Sequence, residues 1–127
     1  MAKDFITDPQ FPDCPVRNVL SRICTKWGIT IISTLGNSAT PLRHSELERA
    51  IPDLSQKVLT ATLRTLVTDG IVRRHQYDGM PPRVDYALTE RGQSLLPLVN
   101  SLTDWAYDNL HAILADRAAG RGWSKTE

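Results

Sequence analysis

The sequence predicts a mainly α-helical domain carrying one small β-hairpin, and three observations predict it. Apolar residues recur at three-and-four spacing in most of the segments between turn signals. Two alternating, β-rich runs, Ile71 to Tyr77 and Val84 to Leu88, are separated by the turn-forming Asp78-Gly-Met-Pro-Pro82. Helix-capping residues stand where several of the helical patterns begin, at Ser45, Ser55 and Thr89.

The elements follow in order. Residues 1–13 show no period and read as an arm. A first helix opens at Cys14-Pro15, since proline's missing N–H is harmless in the first turn, and Val16, Val19, Leu20 and Ile23 give it a buried stripe. A second runs from Lys26, with Trp27, Ile31 and Leu35 inward and Gly36-Asn37 as a left-handed cap. Pro41 to Arg43 leaves room for a minimal strand. Ser45-Glu-Leu-Glu48 fits a capping box for a two-turn helix closed by Pro52. Ser55 caps the next helix, with Leu54 stapled onto Leu59, Leu63 and Leu66 also inward, and Asp69-Gly70 as the stop. After the hairpin, Thr89 caps a long helix bent at Pro97, and the chain frays from about Ala118. One domain over 14–118 with a tail at 119–127 results. Helix, helix, short strand, helix, helix, hairpin, long helix is the order of a winged helix-turn-helix with terminal helices free to dimerise.

Bulk properties narrow the function. At 127 residues the chain suits one domain with its own core, and 41% hydrophobic with 23% charged residues excludes a disordered chain. Cys14 and Cys24 make neither a disulfide framework nor a metal spacing, and no cofactor or metal is expected. The first fifteen residues lack the layout of a secretory signal, and the longest apolar stretch, Trp27 to Leu35, is far short of a membrane span. A reducing cytoplasm and no membrane partner are therefore expected. No glycine-rich phosphate loop or nucleophile elbow is present. His44, His75 and His111 are widely separated and read as surface or satisfied residues. An enzyme is not expected.

The net charge of +1 places any case for nucleic acid in the distribution of charge. From Ser55 to Arg83, five cations stand against two acids, a local balance of +3. On the helix after Ser55, the residues Gln56, Lys57, Thr60 and Arg64 share one side, away from Leu59, Leu63 and Leu66. Arg and Gln suit guanine and adenine edges, Lys suits phosphate, and the helix N-terminus offers unpaired N–H groups. The candidate DNA contacts are Ser45, Ser55, Gln56, Lys57, Thr60 and Arg64, with Arg73, Arg74 and Arg83 from the hairpin. The Arg73-Arg74 pair reads equally as a solubilising edge. A winged helix used only for protein interaction or dimerisation is the alternative.

The chain resembles the HxlR-type regulators, relatives of the MarR group, from Cys14 to about Leu110. The marks are Cys14-Pro15, Lys26-Trp27, Ser45-Glu-Leu, Ser55 to Leu59 (SQKVL) with Leu63, Asp69-Gly-Ile-Val-Arg73, and Pro81 to Thr89 (PPRVDYALT) with Gly92. The resemblance implies a homodimer built from the first and last helices, here through Val16, Val19, Leu20, Leu98, Leu102, Trp105 and Leu110. Two recognition helices about 34 Å apart would then meet a pseudo-palindromic double-stranded operator. The family often carries Gln and Arg where this chain has Ala61 and Thr62, and Pro in place of Gln56, so the base sequence read is this chain's own.

The resemblance also implies an oxidant or small-molecule effector, sensed through Cys14. A helix N-terminus and Arg17 one turn on favour its thiolate, and Asp13 opposes it. Ten residues of helix, about 15 Å of rise, separate Cys14 from Cys24, which excludes an intrachain bridge and leaves a bond between subunits. Cys24 reads as a helix-packing residue.

Overall fold

The structure is a computed structural model that describes residues 15–120. Helix α1 (Pro15–Ile23) and helix α2 (Lys26–Gly36) lead into the short strand β1 (Leu42–Arg43), then α3 (His44–Ala50) and α4 (Gln56–Thr68). The hairpin strands β2 (Val72–Gln76) and β3 (Val84–Leu88) precede the long α5 (Glu90–Ala119). The sheet is antiparallel in the order β1-β3-β2, with Leu42 opposite Tyr86 and Arg74 opposite the same residue from the other side. This is the expected architecture of a winged helix-turn-helix, the two-residue β1 included.

The core explains the packing. Ile31, Ile32 and Leu35 of α2 lie against Leu47 of α3 and Leu59, Leu63 and Leu66 of α4. Val72 and Leu88 close it from the sheet and Val99 from α5. Ile51 and Leu54 are also buried, which pins the bend between α3 and α4 at both ends.

Caps follow the local chemistry with two corrections. Ser55 accepts from the Val58 N–H at 3.2 Å and Thr89 from the Gly92 N–H at 3.1 Å, as expected. Ser45 is not a cap. Pairing of Arg43 with Asp85 holds Arg43 extended, so α3 starts two residues earlier and the Arg43 N–H donates to the Glu46 carboxylate at 2.9 Å. Asn37 ends α2 at φ −90°, in the right-handed region, with its N–H bonded to Ser33 O at 3.0 Å. Gly70, at φ +74°, supplies the left-handed stop after α4.

Helix α5 is one continuous helix through Pro97 and extends through Ala119, where left-handed Gly120 closes it. Its first turn runs tight against the hairpin: a Cβ on Gly92 would meet the Ile71 carbonyl. The Thr89 hydroxyl also donates toward Gly70 O at 2.6 Å, so this residue ties α5 to the end of α4. Thr89→Ala is expected to lower the urea-unfolding free energy by about 0.5–2 kcal/mol. An unchanged midpoint would contradict that role.

Helix α1 keeps little of its apolar stripe covered within the subunit. Only Ile23 of its stripe is buried; Val19 and Leu20 are exposed and Val16 is half-buried. Its end is held by Arg22, which donates to both Asp69 oxygens at 2.8 and 3.0 Å. That hydrogen bond, reinforced by the charge, raises the Arg22 pKa above its ordinary value. Cys24 is exposed at the bend between α1 and α2, not packed. Cys14 lies outside the described residues. No described helix is long and apolar enough to cross a membrane.

Candidate nucleic-acid interface

Helix α4 has two chemically distinct sides. Leu59, Leu63 and Leu66 sink into the core, while Gln56, Lys57, Thr60 and Arg64 are exposed together with Ala61. No acidic residue occurs between Gln56 and Thr68, so nothing on the helix offsets Lys57 and Arg64. Such a face suits the electronegative groove of a duplex.

The hairpin divides the basic residues that the sequence places together. Side chains alternate across a strand, so Arg73 and Arg74 face opposite sides of the sheet. Arg74 shares with Val72 the side that carries the core and lines a cavity of about 320 Å³ with Thr60, Arg64, Val67 and Tyr86. It therefore extends the α4 face. Arg73 lies on the far side of the edge strand β2, where it fits the solubilising reading.

Arg83 is held from two directions. Its guanidinium lies 5.2 Å from the Tyr77 ring centre and 3.8 Å from the carboxylate of Asp85, which is buried. Around it opens a polar cavity of about 610 Å³ that also takes in Arg43, Ser45 and Arg49. Ser45 belongs to this second cluster rather than to the α4 face. Arg43 and Arg49 are cations that sequence reasoning missed, because they flank a short helix far in sequence from the hairpin. A basic residue on each side of a short helix next to the strand was the available signal.

His44 is not a plain surface residue. Its Nδ1 stands 2.7 Å from a Glu48 oxygen and its Nε2 is 3.1 Å from the Thr60 hydroxyl, joining α3 to the exposed side of α4. Among the described residues, no group of three or more His, Cys, Asp or Glu is placed to hold a metal ion.

A family model for the HxlR-like helix-turn-helix matches residues 22–113. The chain belongs to the HxlR-like helix-turn-helix family. An HTH-type transcriptional regulator of Methanothermobacter thermautotrophicus is 40% identical over 92 residues, which is 72% of this chain and 69% of that one. The transcriptional regulator ytfH from Salmonella typhimurium has a similar solved structure, at 34% identity and TM-score 0.76, covering 87% of this chain and 97% of its own. The redox regulator HypR in its reduced form is similar at 35% identity and TM-score 0.71, covering 80% of this chain and 98% of that one. This family member is accordingly a transcriptional regulator of the helix-turn-helix type and not an enzyme. The matched span includes α2 to β3 whole and most of α5, so it holds every candidate contact from Ser45 to Arg83.

Proposed function

We propose that the protein regulates transcription as a homodimer that binds a pseudo-palindromic DNA operator, with α4 in the major groove and the hairpin on flanking phosphates. The observation that carries this is the acid-free exposed face of Gln56, Lys57, Thr60 and Arg64, extended by Arg74. The dimer is supported by apolar side chains that α1 and α5 leave in the open, among them Val19, Leu98, Leu102, Trp105 and Leu110. Selection of duplexes from a random pool, followed by fluorescence anisotropy across salt concentrations, tests the reading. A single enriched, two-fold-symmetric site with affinity falling steeply in salt is expected. No retention of any duplex at low salt would leave the interaction-module alternative.

Arg83→Ala is expected to weaken all duplexes to a similar degree and to reduce the logarithmic salt slope by about one, the signature of a lost phosphate contact. A change in base preference instead would place Arg83 in a groove.

A response to oxidants is the second reading, favoured by the likeness to HypR, which is described as a redox regulator. Cys14 is the proposed sensor. Diamide treatment is expected to alter operator binding in the unmodified chain and not in Cys14→Ser. Dimer-sized bands on non-reducing electrophoresis identify a bond between subunits.

A further inference from the structure

We propose that Glu48 and His44 set the hydrogen-bond polarity of Thr60, so that Thr60 meets a base only as an acceptor. The inference deepens the operator reading and rests on it. The Glu48 carboxylate can only accept, so the His44 Nδ1, 2.7 Å away, carries the proton. In a neutral imidazole the other nitrogen is then an acceptor. At 3.1 Å from the Thr60 Oγ1, that Nε2 accepts a hydrogen bond from the hydroxyl. A hydroxyl has one proton and two lone pairs. With its proton turned toward His44, Thr60 retains lone pairs for the exposed side of α4.

An unconstrained threonine serves either base chemistry. This one would pair with an amino group in the major groove, adenine N6 or cytosine N4, and would reject guanine O6 or thymine O4. His44 and Glu48 act as positioning residues, since neither has to reach the DNA. They select a base from α3, through a contact between residues sixteen positions apart in the chain.

The test has two independent readouts, both in mildly alkaline buffer. Long-range proton–nitrogen NMR of the free protein is expected to show His44 protonated on Nδ1 and bare on Nε2. Operator selection is expected to return adenine or cytosine at one position in each half-site, retained in Thr60→Ser. That preference should fall about fivefold in Thr60→Val, the loss of one hydrogen bond. Glu48→Gln should relax it similarly, because an amide can donate to Nδ1 as well as accept and so admits both tautomers. Preferences at the other positions should stay as they are.

An Nε2-protonated ring, a guanine or thymine at the position Thr60 affects, or a preference untouched by Glu48→Gln would each overturn the relay. In those cases the operator itself would still be bound. Failure to select any duplex would instead remove the reading of α4, and the relay with it.

Discussion

Leu102→Glu is expected to leave the subunit folded but monomeric, and to weaken operator binding by about 10²–10⁴-fold. Leu98, Leu102 and Trp105 follow one another at helical spacing and are 65%, 53% and 59% exposed. Of the 30 residues of α5, only Gly92 and Val99 are buried, so most of this helix has no cover among the described residues. Because Leu102 makes no part of the core, a carboxylate there does not disturb the fold. Against a second copy it places a charge inside an apolar interface, which is costly unless paired. The loss of operator affinity follows from geometry: once one recognition helix is docked, a tethered second meets its half-site at high effective concentration, and a monomer forfeits that. Sedimentation and anisotropy measure the two effects. The unfolding midpoint should rise with protein concentration in the unmodified chain and not in the variant. A variant that stays dimeric and binds as before would exclude this stripe from the interface.

Arg64→Ala is expected to cost about 1–3 kcal/mol on the selected operator, a factor of roughly 5–150, while weakening unrelated duplexes far less. Among the described residues no carboxylate pairs with Arg64, and it lies one helical turn beyond Thr60 beside the Arg74 that β2 brings alongside. Its donors are therefore available for the two acceptors of a guanine edge. Arg83 differs, being already engaged by Tyr77 and Asp85. Relaxed selection at one base pair in each half-site would mark Arg64 as a reader. Uniform weakening on every sequence would reassign it to phosphate.

Much of the α4 face was legible because helical period and side-chain type are both local. Spacing placed Leu59, Leu63 and Leu66 inward, and the same arithmetic placed Gln56, Lys57, Thr60 and Arg64 outward. The hairpin was legible as a pair of basic strands, but the side of the sheet that each arginine takes was not. Adjacent arginines read as one basic patch until alternation divides them, Arg74 toward α4 and Arg73 away. The α1 stripe is a different case. Its spacing calls for a cover over Val19 and Leu20, and the described residues supply none, since both stand exposed. His44 looked inert because its partner Thr60 belongs to another helix.

By itself, then, the sequence determined the order of elements, the caps at Ser55 and Thr89, the stop at Gly70 and the inner face of α4. Each depends on backbone groups and periods within a few residues. Only the tertiary structure decided where α3 begins and which arginines share a side. Those outcomes depend on distances between segments remote in sequence. Strand pairing with Asp85 overrode the Ser45 cap, and no local rule contains that contact.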